Sequence, residues 1–172
     1  MEGVGRNKVK LVPFKEEWGM EFLDVKKEII SIWGNNVIDI QHIGSTAING
    51  MCAKPILDVA VVLNSFNNMD IASMEQIGYE WRGFQTEIKD RCLFVMRSSD
   101  DLSLRHIHCY EPNNLDFAQC LWFRDYLNIH SDASKEYAEL KQKLYSRYKN
   151  DRKAYSAGKE DFITKIYERM KV

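Results

Sequence analysis

From Trp18 onward, apolar residues return every three or four positions: Trp18, Phe22, Val25, Ile29 and Ile32, with Glu16, Glu17, Asp24 and Lys27 between them. That spacing places them on one stripe of a helix, facing a core. The helix is expected to open near Pro13 or Phe14, since proline is tolerated in a first turn. Gly34 and the two asparagines after it read as its stop. Two short β-branched runs follow, VIDIQHI at 37–43 and PILDVAVVL at 55–63, and both read as strands. Met69 to Ile77 reads as a short helix ended by Gly78. RCLFVMR and LSLRHIHCY read as a strand pair, with the polar SSDD as the turn between them. From Leu115 the helical period takes over, through FAQCLWFRDYLNIH, SKEYAELKQKLYSRY and KEDFITKIYERM. The chain thus opens with one helix, lays down its sheet in the middle and closes with helices. The pattern predicts one domain over 1–172 of α+β class, a small mixed sheet covered by helices with a helical C-terminal part.

Composition narrows the function classes. Hydrophobic residues make up 45% and charged residues 28% of the 172, ordinary values for a soluble globular chain. The net charge of -1 provides no global field for nucleic acid or an anionic membrane, so nucleic-acid binding is disfavoured. The four cysteines, Cys52, Cys92, Cys109 and Cys120, form no CxxC pair and suit free thiols in a reducing compartment. No run approaches the roughly eighteen apolar residues of a membrane helix, and the first residues lack an apolar segment of signal-peptide length. A cytoplasmic location is expected.

The chemistry concentrates in QHIGSTAINGMCAKPILDVAVV, residues 41–62. A strand ends at Ile43, Gly44 permits a tight backbone, and Ser45 and Thr46 offer hydroxyls and N–H groups that can cradle a phosphate. Asp58 follows in an apolar strand. It shares a face with Ala60, while Leu57, Val59 and Val61 point the other way. A desolvated carboxylate there requires a cation, a metal or hydrogen-bond donors. It serves either as a ligand-binding group or as a structural cap for the loop N–H groups.

Gly44-Ser45 followed by Asp58 resembles the signature of the nucleotidyltransferase superfamily: a glycine-serine turn, a spacer, then an aspartate, an apolar residue and a second acidic residue. More closely, HIGSTAINGMCAKPILDVAV, RHIHCY, FRDYLNIHSDASKEYAELK and YSAGKEDFI together resemble the GrpB family, a small bacterial family of nucleotidyltransferase-like fold. The resemblance runs from about the first helix to the C-terminus. It implies nucleotides or their derivatives as ligands, and a domain of this kind also occurs fused to dephospho-coenzyme A kinases. Active members of the superfamily hold two divalent cations on two or three carboxylates. Here the second acidic position is Ala60. One carboxylate alone is a poor magnesium site. Asp39 and Glu111 are the nearest candidates by sequence to replace the missing one.

His106 and His108, two apart in a predicted strand, face the same way, and His42 precedes the glycine-serine turn. Asp58 with His106, His108 and His42 is a plausible ligand set for zinc, manganese or iron rather than magnesium. The same histidines also suit a pocket lined without metal, or a phosphate site. Lys54, Arg97, Arg105, Arg124 and Lys159 are the basic groups considered for a phosphate, and the resemblance singles out Arg124 and Lys159. Arg124 can instead pair with Asp125 or Asp116, and Lys159 can be a solvated helix charge. Two functions follow. One is a transferase that binds a nucleotide or other phosphate-containing small molecule at Gly44, Ser45 and Thr46. It uses a divalent metal (Mg, Mn or Zn) on Asp58, with His106 or His108 as ligand or base, and transfers a group to a small acceptor. The other is a binding module for a nucleotide or coenzyme A-like ligand that kept the fold without the second carboxylate.

Overall fold

Val12 exchanges two backbone hydrogen bonds with Ala53, and this keeps the chain extended where a helix was expected to begin. The residue before a proline also avoids the helical region. Helix α1 therefore starts later, at Glu17, and runs to Trp33. The computed structural model describes residues 1–171. After α1 come strand β1 (Val37–Ile43), a single 3-10 turn at Ser45–Ala47, and strand β2 (Leu57–Leu63). Helix α2 (Ile71–Gln76) is capped by the Asp70 carboxylate, which accepts from the Ser73 N–H. Strands β3 (Tyr79–Phe84), β4 (Arg91–Arg97) and β5 (Ser103–Tyr110) complete the sheet. Helices α3 (Leu115–Ile129), α4 (Ser131–Arg147), α5 (Arg152–Ala157) and α6 (Glu160–Glu168) close the chain.

Strand β3 has no clear signal in the sequence. Gly83 takes a positive φ of 76°, and the pairing with β4 slips between Trp81 and Phe84. This irregularity breaks the two-residue alternation by which a strand is recognised. The sheet order is β1-β2-β5-β4-β3, mixed in direction because β2 and β5 run parallel while the other pairs are antiparallel.

One face of the sheet carries the main core. Leu57, Val59, Val61 and Leu63 of β2, with Ile107 and Cys109 of β5, pack under Val25, Ile29 and Trp33 of α1 and Met74 of α2. Trp18 is buried as well, whereas Phe22 and Ile32 are half-buried. Phe22 stacks on the His42 ring, with centroids 5.2 Å apart. The opposite face is covered by the C-terminal helices. Ile43, Ala60 and Tyr110 meet Phe117, Cys120 and Leu121 of α3 there. A separate cluster of Phe123, Leu127, Tyr137, Phe162 and Ile166 joins α3, α4 and α6, with Ile48 and Met51 of the loop between β1 and β2. Among the described residues no helix is long and apolar enough to cross a membrane, and all four cysteines are free.

The two faces of α1 should respond differently to truncation. Ile29 is fully buried, so Ile29→Ala should cost about 2–5 kcal/mol. Leu23 is exposed, and Leu23→Ala should stay within about 0.5 kcal/mol. Urea unfolding of the two variants distinguishes them; equal effects would mean that α1 does not hold its apolar stripe against the sheet.

Candidate functional site

Asp58 is the one charged residue of β2, and its strand neighbours decide what it meets. On β5 its register partner is His106, and that of Ala60 is His108. Side chains two apart share a face of the sheet, so the carboxylate and both imidazoles emerge together on the helix-covered side. Asp58 Oδ1 lies 3.0 Å from His106 Nδ1 and 3.4 Å from His108 Nε2. Burial alone would raise the Asp58 carboxyl. The hydrogen bonds and charges of the two imidazoles outweigh that effect and hold it well below the usual carboxylate range. One ligand atom from each of the three residues lies within 4.8 Å of the others.

Gly44 is what lets the loop approach this group. Its φ of 72° suits glycine, and a Cβ there would sit 2.9 Å from Asp58 Oδ2. Ser45 then opens the 3-10 turn, and the buried Thr46 places its hydroxyl 2.9 Å from His42 Nε2. Among the described residues the hydrogen-bond partners of Asp58 are the imidazoles rather than loop N–H groups.

Asp58, His106, His108, Gly44, Ser45 and Thr46 line a cavity of about 360 Å³. The rest of its wall comes from the loop before β2, from β4 and β5, and from the C-terminal helices. Lys54, Lys141, Arg152 and Lys159 supply positive charge, and Phe123, Tyr137, Tyr155 and Tyr167 supply aromatic surface. Lys54 Nζ lies 5.9 Å and Lys159 Nζ 5.0 Å from the centre of the Tyr155 ring. Lys141 is almost completely buried and donates to the Cys52 carbonyl. Burial pushes the Lys141 ammonium down to about 7, with the charges of Lys159 and Lys54 adding to the effect. Burial likewise lowers Lys54 to about 8, helped by Arg152 and Lys159. Lys159 is lowered by burial too, against the pull of Asp58.

Of the candidate site residues, Gly44, Ser45, Thr46, Lys54, Asp58, His106, His108 and Lys159 all line this cavity. His42 and Arg124 do not. His42 pairs in register with Val59, so it faces α1, where it stacks on Phe22; burial lowers it to about 4 and keeps it neutral. The metal-ligand role expected of it has no geometric support. Arg124 donates to the Gln41 side chain and the His42 carbonyl and forks onto Asp125, tying α3 to β1. Arg105 lies on the α1 face, paired with Glu21 and Glu28 at 3.1 Å each, and Arg97 is held near Glu80 and Ser103. Asp39 accepts from the Gln41 amide, Glu111 is exposed, and neither lines the cavity. Ala60 is sealed among Ile43, Tyr110 and α3. Asp58 is therefore the one carboxylate in the lining among the described residues.

The donor set has consequences for metal. Two imidazoles and one carboxylate can hold a single ion of the zinc, manganese or iron type. They do not fit a pair of magnesium ions, which require several oxygen ligands.

Lys141, Arg152 and the three tyrosines are not evident from motif reading. For Lys141 a signal exists in the pattern: it sits with Tyr137 and Leu144 on the buried stripe of α4, an apolar position taken by a charge.

The family model "GrpB protein" matches residues 8–169. The chain belongs to the GrpB family. The glutamate-rich protein GrpB of Alkalihalophilus pseudofirmus is 34% identical over 99% of this chain and 100% of its own length. YqkA of Bacillus subtilis is 32% identical over 96% of this chain, which spans about half of that relative, 48%. A dephospho-CoA kinase of Mycolicibacterium paratuberculosis is 26% identical over 96% of this chain and 47% of its length. Among solved structures, GrpB from Enterococcus faecalis superposes with a TM-score of 0.84 at 26% identity, over 93% of this chain and 96% of that one. The Cid1 poly(U) polymerase with MgGTP bound gives 0.51 at 13% identity, over 85% of this chain and 50% of its own. At that identity the likeness is one of fold, and the GrpB-family fold here is nucleotidyltransferase-like.

The buried lysine of this GrpB-family chain makes a pH prediction. The folded Lys141 titrates near 7 and an unfolded lysine near 10.5, so the penalty for burying its charge is full below about pH 7 and fades as pH rises toward 10.5. Lys141→Met should therefore raise the melting temperature most near pH 6 and progressively less up to pH 10. A difference from wild type that does not change with pH would place the ammonium in contact with water.

Proposed function

We propose that this chain binds a nucleotide or another phosphate-bearing small molecule in the cavity, together with one divalent cation at Asp58, His106 and His108. The observation that carries the reading is that one cavity is lined both by a carboxylate-imidazole cluster and by four cationic side chains. A carboxylate beside two imidazoles suits a metal. Four nearby cations with a single carboxylate among the lining residues suit an anion. The Gly44-Ser45-Thr46 turn shares the lining, and its Ser45 hydroxyl would be offered to the phosphate. The neighbours agree in kind: Cid1, similar in fold, was solved with MgGTP, and a dephospho-CoA kinase carries a matching segment.

A bound cation would draw charge from phosphate oxygens and acidify a hydroxyl or water beside them. The protein's own part would be to fix the phosphates against Lys54 and Lys159. Transfer of a nucleotidyl or other phosphate-containing group to a small acceptor is the activity this arrangement would support. The sealed position of Ala60 favours a second reading, a binding module without transfer, because a second metal would lack its usual carboxylate.

A thermal-shift matrix of nucleoside triphosphates and coenzyme A against magnesium, manganese and zinc tests the proposal. A ligand at a hundredfold excess over its Kd stabilises by about 2.7 kcal/mol, a rise of roughly 5–10 °C at this chain length. Manganese or zinc should add to the nucleotide shift more than magnesium does. Asp58→Asn should remove the metal-dependent increment while the apo protein still unfolds cooperatively. Loss of the triphosphate in the presence of small acceptors would identify a transferase, and its survival a binding module. No shift with any pair would overturn the reading.

A further inference from the structure

Helix α3 holds the turn at residues 44–47 with two adjacent stripes of side chains. On one stripe, Phe123 and Leu127 enter the buried cluster that also contains Ile48 and Met51, just after the turn. On the next, Arg124 and Asn128 stand four apart and so lie on one side of the helix. Arg124 Nη1 donates to the His42 carbonyl at 2.9 Å and to Gln41 Oε1 at 3.0 Å, just before the turn. Asn128 donates to the Ala47 carbonyl at 3.2 Å and accepts from the Asn49 N–H at 2.9 Å, at the far end of the turn. Main-chain groups on both sides of the turn are thus held from α3. Neither side chain lines the cavity. The Asp125 carboxylate accepts from Nε and Nη2 of Arg124, at 2.7 and 3.2 Å. The guanidinium is thereby neutralised, and Nη1 is left for β1.

We propose that Arg124 and Asn128 are positioning residues, a two-point clamp that fixes the turn at residues 44–47 in the shape that receives the ligand without touching the ligand. The inference rests on the reading that this turn meets a phosphate-bearing ligand, and it adds what sets the turn's affinity. The turn does not hold itself firmly. Its internal hydrogen bonds are the long ones of a 3-10 turn, 3.2 Å from the Ala47 N–H to the Gly44 carbonyl and 3.4 Å from the Ile48 N–H to the Ser45 carbonyl. Gly44, at a φ of 72°, leaves the entry to the turn conformationally free. A segment that is ordered only when the ligand arrives loses part of the binding free energy to that ordering, whereas one held beforehand does not. The donor to the His42 carbonyl is ionised, so this bond is stronger than one from a neutral amide. The His42 ring fastens the middle of the turn through the Thr46 hydroxyl, and α3 fastens its two ends.

Amide hydrogen exchange of the ligand-free protein, read at Ala47 and Ile48, tests the clamp. Titration calorimetry with manganese and each of the four ribonucleoside triphosphates tests its consequence. Arg124→Lys and Asn128→Ala should each speed exchange at these two amides about fivefold or more, while β2 and β5 keep wild-type protection. Each should also weaken triphosphate binding about fivefold or more. Neither variant changes the net charge, so a loss of affinity cannot come from a weaker field. Asn128 is exposed, and its variant keeps the test decisive should Arg124→Lys fail to fold. Ile129→Ala, at an exposed position of the same helix, should match wild type in both measurements. Unchanged exchange at Ala47 and Ile48 in both variants would overturn the clamp. Faster exchange with wild-type affinity, or protection lost equally across the sheet, would overturn the positioning role. A wild type that binds none of the triphosphates would overturn the reading of the cavity and the positioning role with it, a failure seen in the wild type rather than in the variants.

Discussion

The parallel pairing of β2 with β5 is the constraint on which the site depends. Parallel neighbours cannot be joined by a tight turn, so after Leu63 the chain passes through α2, β3 and β4 before β5 starts beside β2 at Ser103. The register at which it returns sets Asp58 beside His106. A shift of one residue would send both imidazoles into the core under α1, and Ile107 and Cys109 into the cavity. The large apolar face of β5 forbids that exchange: Ile107 and Cys109 are fully buried in the main core, and Arg105 is anchored to α1 by Glu21 and Glu28. The packing of one sheet face thus fixes the chemistry of the other.

On that second face the chain departs from the carboxylate pattern of the superfamily it resembles. The strand position two residues after Asp58 is Ala60, and the space around it is filled by Ile43, Tyr110 and α3. Its register partner on β5 is His108. Polar donors are thus present one strand over from the expected place, as imidazole instead of carboxylate. The exchange replaces hard oxygen by nitrogen and reduces the negative charge of the site, which changes the cation it suits and the number it can hold. The helices contribute the opposite sign. Lys141 occupies a buried position in α4 at a cost in solvation, and Lys54 and Lys159 lie against the Tyr155 ring.

The part of this arrangement legible in the sequence is the part governed by local periodicity. The two-residue period of β2 and β5 correctly put Asp58, His106 and His108 on common faces, and the helical period placed Val25 and Ile29 in the core. The sequence reading set His42 with Asp58, but the antiparallel pairing of β1 and β2 puts the two on opposite faces. That pairing is a tertiary fact, and closeness in sequence to Gly44 pointed the other way. Arg124 illustrates the same limit: its guanidinium reaches β1, a contact between residues 82 and 83 positions apart that no local pattern encodes. Strand β3 went unread because a bulge disrupts its alternation, and α1 began late because Val12 bridges to Ala53. The cavity's basic wall is assembled from four segments. Lys54 and Lys159 were named from the sequence, while Lys141, a charge at a buried position of an apolar stripe, and Arg152 were not.

The central claim is that one cation and a phosphate group meet between the Asp58 cluster and the lysine wall. The most direct measurement is an anomalous difference map at the manganese edge from crystals grown with manganese and a nucleoside triphosphate. The account predicts one manganese peak within bonding distance of Asp58, His106 and His108, with phosphate density running from it toward Lys54, Lys141 and Lys159. Two peaks, a peak held by other residues, or phosphates lying away from the lysines would contradict it.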